Sequence, residues 1–400
     1  MEIKPLSEVS LINISGVDKK IKESEYEIRL VNFTDVYYNW AVSRNNVDTF
    51  MIATANENEI NRFLLHKGSV AITKDSETRE DIGIACYIAD DLDNTLLGYH
   101  CALIVPQKGI LDGRYLNAYL HTKMASKYFS NQASGSGQRY TLTIDGIGAV
   151  KIPIIPFGNQ VKIGKFFSNI DKKIDNNNII KTKLEAMAKT IFEYWFLQFE
   201  FPNEEGKPYK SSGGKMVLNE ELKREIPEGW KCRRIGDILI ETDKSKVKVN
   251  GAKEKGHYPF FTSGESILSF DDYFVDGFNI FLNTGGNPDI KAYMGKCAYS
   301  TDTWCVSAKE YSYVLYYYFL KLLPQFEQLF FAGSGLKHLQ KDVLKNKYIL
   351  LPDDKVLKLF NDFCLSSWRK IANCLIQNKS LSSLRDFLLP LFMNGQVTFK

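Results

Sequence analysis

Hydrophobic and polar positions along this chain fall into two textures, and each texture occurs twice. From Val9 to about Val150, short apolar runs are broken by Asn, Asp, Gly and Ser, as in EIRLVNF from Glu27 and GSVAITKD from Gly68. Period-two alternation with such punctuation predicts β-strands, joined by one helix over Tyr115 to Phe129. After Pro156 the period lengthens. Ile163, Phe167, Ile170, Ile174, Asn177, Lys181, Leu184, Ala188, Ile191 and Trp195 step by four and three, the seam of a helix packed on another helix. Neither Gly nor Pro falls between Lys165 and Phe201, and roughly 35 to 40 helical residues at about 1.5 Å each span on the order of 55 Å. From Lys231 to about Leu351 the strand texture returns, richer in aromatics, with a helix expected from about Ala308 to Phe331. A second seam follows in Phe360, Cys364, Ser367, Ile371, Cys374, Asn378, Leu381, Arg385, Leu388 and Phe392, where Pro390 is expected to kink or end the helix.

The two halves are copies. GSGQRYTLTIDGIGAVKIPIIPF recurs as GSGLKHLQKDVLKNKYILLPD, so that Ser136 matches Ser334, Pro156 matches Pro352, Ile174 matches Ile371 and Trp195 matches Phe392. The helical parts match in length and pattern. Leu6 to Pro156 is 150 positions, however, whereas Ile235 to Pro352 is 117, so the β-rich parts are expected to share little between their ends. The plan that follows is α+β with a pseudo-two-fold internal repeat. It has a mixed head at 1–156, a long helix at 157–200, a surface connector at 201–230, a second head at 231–352 and a second long helix at 353–400. Neither helix can bury its stripe alone, which makes pairing of the two the economical solution. Asn177, Lys181, Asn378 and Arg385 weaken that seam and leave its register open.

Composition adds limits. With 44% apolar and 24% charged residues and a net charge of +4, the chain is an ordinary folded protein whose basic surface must be local. Seven cysteines without a CxxC pair, and five histidines without ligand spacing, argue against a disulfide framework or a zinc site. The N-terminal residues do not read as a signal peptide, and the most apolar run, from Tyr311, is short for a membrane span and carries Lys321. A cytoplasmic protein is the expectation.

The segment FPNEEGKPYKSSGGKMVLNEELKREIPEGW with WKCRRIGDI, the two GSG segments, the IPIIP and ILLP exits and the two long helices resemble, in the same order, the specificity subunits of type I restriction-modification enzymes. The resemblance covers essentially the whole chain. It implies two target recognition domains, each reading one half of an asymmetric bipartite sequence in double-stranded DNA, and an antiparallel coiled coil that sets the unread gap and docks two methyltransferase (M) subunits. It also implies that S-adenosylmethionine belongs to the M subunits, and ATP with Mg²⁺ to restriction (R) subunits, so that this chain holds no cofactor, metal or catalytic residue. A helix of about 55 Å compares with one and a half turns of B-DNA at about 34 Å per turn, consistent with two heads in successive major grooves. Two other readings stay open: the specificity subunit of a related two-subunit restriction enzyme, and a coiled-coil adaptor without base readout.

Candidate DNA contacts are cations and amides on loops. Arg139 and Lys337 each follow a GSG turn by two residues, although a tight turn entering a strand accounts for the same glycines. Lys74 and Arg79 lie on the loop after an apolar strand, and Asn283, Thr284, Asn287 and Lys291 lie on the matching loop of the second head. Lys244, Lys246, Lys248, Lys253 and Lys255 form the most basic stretch, which a solvated face would also explain. Ile163, Phe167, Ile170, Ile174, Leu184, Ile191, Trp195, Phe360, Ile371, Leu381, Leu388 and Phe392 are the candidates for helix pairing and M-subunit docking. Enzyme motifs fail: Gly251 to Gly256 has His257 where a phosphate loop needs Lys, and Gly286 to Asp289 lacks the second proline and aromatic of an amino-methyltransferase motif. Pro352 to Lys355 resembles a nuclease fragment but opens a helix, where Asp is the expected residue.

Overall fold

The computed structural model describes residues 2–399 apart from 137, 138, 254, 255, 334 and 336, and of residue 136 only the backbone. It divides into two compact units, Met1–Asn176 with Gln377–Lys400, and Asn177–Ile376. Both divisions fall in the polar middle of a long helix, at Asn176 and Asn177 and at Ile376 and Gln377. Each unit therefore holds one head and half of each helix.

The head of the first unit is built on a sheet in the order Ser10–Ile14, Cys101–Pro106, Val70–Thr73, Ala85–Ile88, Ala41–Val42. In the second unit the order is Ile240–Glu241, Thr303–Ser307, Phe278–Asn283, Ile290–Met294. The first four strands correspond one to one, and every pairing among them is antiparallel. A second sheet repeats as well. Tyr26–Val31 pairs antiparallel with Met51–Ala55 and parallel with Thr95–Leu97, just as Tyr258–Phe261 pairs with Leu268–Phe270 and Ala298–Tyr299. The β-rich halves, which share little sequence between their ends, thus share a strand order. Val70, Ala71, Ile72 and Thr73 are all buried, so a central strand needs apolar residues on both faces but no particular ones. The greater length of the first head lies partly in residues 32–50, which form a short helix (Phe33–Tyr38), an edge strand (Ala41–Val42) and a 3₁₀ segment (Arg44–Thr49).

Each head is closed at its neck by the strands through which the chain enters and leaves. Glu2–Pro5 pairs antiparallel with Lys151–Ile154, and Lys231–Arg234 with Tyr348–Leu351. The helix expected over Tyr115 to Phe129 is two helices, Gly113–Leu120 and Lys123–Gln132, because the Thr122 side chain accepts from the Ala125 N–H and starts a new helix. Pro324 similarly divides the second, leaving Ser312–Leu322 and Phe326–Phe330.

The first long helix runs Phe157–Phe192 and widens into a π-helical turn at Glu193–Leu197; the second runs Asp354–Met393. The Asp353 carboxylate accepts the backbone N–H groups of Lys355 and Val356, both at 2.9 Å, so the nuclease-like fragment is a helix cap. The helix ends three residues beyond Pro390, and Gly395 follows at φ +72°. In the first unit Phe167 meets Phe392 edge to face at 5.8 Å, and Ile163, Ile170 and Met393 share the same buried cluster. In the second, Phe196 meets Phe360 at 4.8 Å, beside buried Ala188, Phe192, Cys364, Trp368 and Ile371. Early residues of one helix thus meet late residues of the other, the antiparallel arrangement.

Residues 201–230 are mostly exposed and are anchored by a few aromatics. Phe201 and Trp230 are buried and stack at 5.2 Å, Tyr209 stacks on Phe201 at 4.5 Å, and Met216–Asn219 pairs with Arg224–Pro227 as a hairpin. Gly, Ser and charge dominate the composition there, but the few aromatics decide the packing.

Candidate nucleic-acid interface

In each head a short pair of strands accompanies the GSG segment, Ser134–Ser136 with Arg139–Thr141 and Phe331–Ala332 with His338–Leu339. Gly135 and Gly333 adopt φ +145° and +142°, and a Cβ on Gly135 would sit 2.1 Å from the Arg139 carbonyl oxygen, so glycine is required there. Each hairpin leans on the loop that leaves a central strand: Leu142 N–H donates to the Lys74 carbonyl at 2.8 Å, and Leu339 N–H to that of Thr284 at 3.0 Å. The two loops named from sequence therefore occupy corresponding places.

What they carry differs. In the first head, Asp75 has a side chain only 8% exposed and receives Lys74 Nζ at 2.8 Å, His100 Nδ1 at 2.8 Å and Arg139 Nη2 at 3.2 Å. A carboxylate only accepts, so Nδ1 carries the imidazole proton in that bond. Burial pushes the Asp75 carboxyl up, but hydrogen bonds from Lys74, His100 and Thr141 outweigh it and hold the group at about 2. Around this cluster lies a cleft of about 590 Å³, walled on the far side by Phe33, Tyr37 and Tyr38 from the inserted segment. The Tyr37 hydroxyl donates to Asp81 at 2.5 Å, which, with burial, raises its pKa to about 12. Arg79 lies 5.2 Å over the Tyr140 ring. This mouth offers aromatic faces, donors and acceptors within one concave surface.

In the second head, Asn283 is buried and its amide donates to the Ser263 and Asn287 carbonyls at 2.9 and 3.0 Å. Lys291 is 13% exposed, with its ammonium 2.6 Å from Asp289 and donating to the Thr262 carbonyl at 3.2 Å. Both residues shape the loop from within. Lys74, 16% exposed and bound to Asp75, does the same in the first head. The exposed groups are Asn287, and Lys244, Lys246 and Lys248, which alternate with buried Ser245 and half-buried Val247 on an extended segment. Thr301 N–H donates to the Val247 carbonyl at 2.9 Å and anchors that segment. Thr284 is half-buried at the loop base, Lys337 pairs with Glu327 at 2.6 Å on the surface, and Lys255 lies outside the described residues. The loops named from sequence correspond in the two heads; side-chain direction, which only the fold sets, separates supports from exposed groups.

The seam residues Ile163, Phe167, Ile170, Ile174, Leu381, Leu388 and Phe392 pack in the first unit's core, and Leu184, Ile191, Trp195, Phe360 and Ile371 in that of the second. Away from the seam, the helices expose Ile179 and Met187 on the first and Ile376, Leu384 and Phe387 on the second. At about 3.6 residues per turn Ile179, Ile376 and Phe387 fall on the side away from the seams and Met187 and Leu384 on a flank, forming an outer apolar stripe masked in sequence by polar neighbours. Burial pushes the thiols of Cys86, Cys101, Cys297, Cys305 and Cys364 up, leaving them unreactive. Among the described residues no group of three or more His, Cys, Asp or Glu could hold a metal ion, and no helix is long and apolar enough to cross a membrane.

The family model for the type I restriction modification DNA specificity domain matches residues 1–186 and again 227–358. The chain is 27% identical over 358 residues to the type I restriction enzyme MjaIX specificity subunit of Methanocaldococcus jannaschii, covering 83% of this chain and 78% of that one. It is 21% identical over 397 residues to the HindI specificity subunit of Haemophilus influenzae, covering 80% and 85%. In fold it is similar to the crystal structure of the type I restriction-modification S subunit from M. genitalium, with a TM-score of 0.62 over 98% of this chain and 95% of that one at 13% identity.

Proposed function

The chain belongs to the type I restriction-modification DNA specificity family, and from that membership we propose that it selects the DNA target of a type I complex while performing no chemistry itself. Each head reads one half of an asymmetric bipartite site. The paired helices hold the unread gap between the halves. The single observation that carries this reading is the unequal pair of loops on an equal pair of scaffolds: strand order and hairpin placement repeat, while Asp75, His100 and Arg139 cluster at one loop and Asn283, Asn287 and Lys291 build the other. Unlike readers on a repeated frame suit an asymmetric target offered to identical partners.

Two M subunits dock on the exposed apolar stripes, where Ile179, Met187, Ile376, Leu384 and Phe387 otherwise face water. They would hold S-adenosylmethionine, and R subunits would hold ATP with Mg²⁺. The test is exchange of residues 1–150 for the head of another family member, followed by sequencing of the methylated motif in cells that also carry the M subunit. One half-site should change while the other half and the gap persist. A motif changed in both halves, or in neither, would sink the two-reader reading.

A further inference from the structure

In the first head, the residue opposite Asp75 across the sheet is Thr141, and the residue opposite Ser76 is Tyr140; in the second, His338 bridges Gly285. Counting back from Leu142 and Leu339, which make the same backbone bond, sets Thr141 against His338 and Tyr140 against Lys337. The first hairpin is one residue longer. Arg139 therefore matches Leu336, not Lys337, and the place of Asp75 is taken by Gly285. The arginine held by a buried carboxylate belongs to the first head alone.

That arginine is poised for recognition. Its side chain is 60% exposed, Nη2 alone is engaged, by Asp75, and Nε and Nη1 have no protein partner among the described residues. Asp75 is in turn fixed by Lys74, His100 and its own burial, so the guanidinium is anchored at one corner and open elsewhere. A surface arginine serving only solubility has no use for three converging donors around one carboxylate. An exposed planar fork with a fixed corner fits the O6 and N7 acceptors that guanine alone presents together in the major groove. A phosphate needs charge but not orientation.

We propose that Arg139 reads a guanine in the half-site of the first head, with Asp75 as its positioning residue. This rests on the reading of the heads as DNA readers. The test uses the full chain assembled with its M subunit, the methylated motif of the wild type, and duplexes in which each base pair of that motif is replaced in turn. Arg139→Ala should lose discrimination at one G·C pair of the first half-site by roughly 5- to 150-fold, leaving the second half-site unaffected. Asp75→Asn should weaken discrimination at that same pair, and the double variant should be no worse than Arg139→Ala. A melting curve that matches the wild type identifies the variants that fold. Uniform loss across all duplexes with a shallower salt dependence would make Arg139 a phosphate contact and overturn the proposal. So would an unchanged motif, or additive effects of the two substitutions. A wild-type complex that methylates no bipartite motif would instead overturn the reading on which this rests.

Discussion

Replacing Asp171 by asparagine should stabilise the first unit in a way that depends on pH. Asp171 lies in the first long helix, 7% exposed. Burial, then repulsion from Asp175, raises its carboxyl to about 7, against attraction by Arg385 and Lys172. Nearby, Arg385 lies 5.0 Å over Trp40, which stacks on His121 at 4.2 Å. His121, whose Nε2 donates to the Ala85 carbonyl, is lowered to about 4 by burial and by Arg385. The signs oppose. Between its unfolded value near 3.8 and about 7, Asp171 binds more protons folded than unfolded, so its contribution falls as pH rises. Between about 4 and its ordinary 6.5, His121 binds fewer protons folded, so its contribution rises with pH. In the wild type the two partly cancel. At about 1.36 kcal/mol per pKa unit, ionising Asp171 costs the folded state at most on the order of 4 kcal/mol above pH 7. For a unit of about 200 residues that is at most roughly 8–16 °C in melting temperature. Thermal unfolding of Asp171→Asn and wild type, from pH 4 to pH 8, should show equal midpoints at the acid end and a growing advantage for the variant toward pH 8. Parallel curves, or a variant less stable at pH 8, would refute the argument that the seam holds a strained carboxylate.

Gly164→Ala places a Cβ 2.7 Å from the Arg114 Cβ and 2.8 Å from the Tyr115 backbone nitrogen, and should destabilise the first unit by about 1–3 kcal/mol in urea unfolding. Gly158→Ala in the same helix meets nothing within 4 Å and should leave the midpoint unchanged or slightly raised. Changing Lys244, Lys246 and Lys248 together to alanine should lower the slope of log affinity against log salt by about 2 to 3 without altering the motif read; an unchanged slope would place that segment away from DNA.

Much of the frame was legible in the chain because its physics is periodic. The stripe from Ile163 to Trp195 and its copy from Phe360 to Phe392 could only be helices seeking apolar cover, and Asp353 could be read as a cap from residue type alone. The repeated strand order was not legible. Val70–Thr73 and Phe278–Asn283 occupy the same place in their sheets, yet burial on both faces asks only for apolar bulk, so no residue identity survives to betray the match. The direction of the candidate side chains was not legible either. Lys74, Asn283 and Lys291 have the right chemistry for DNA, but backbone carbonyls and carboxylates a short distance away hold them inward. The anchoring of residues 201–230 was hidden because Phe201, Tyr209 and Trp230, which stack on one another, are few among many polar residues.

The paired strands at each neck bear on how these heads can evolve. Entry and exit strands that are hydrogen-bonded to each other stand about 4.8 Å apart, so the helices meet a head of any size as though it were a single tight hairpin. Lengthening a reader, as residues 32–50 do, then adds no strain at the junction and little loop-closure entropy to the frame. Insertions and drift that would be purged elsewhere in the chain can accumulate above the neck at almost no thermodynamic penalty. The rate at which new specificities arise would be limited by what the mouth must recognise, and hardly at all by what the scaffold can tolerate.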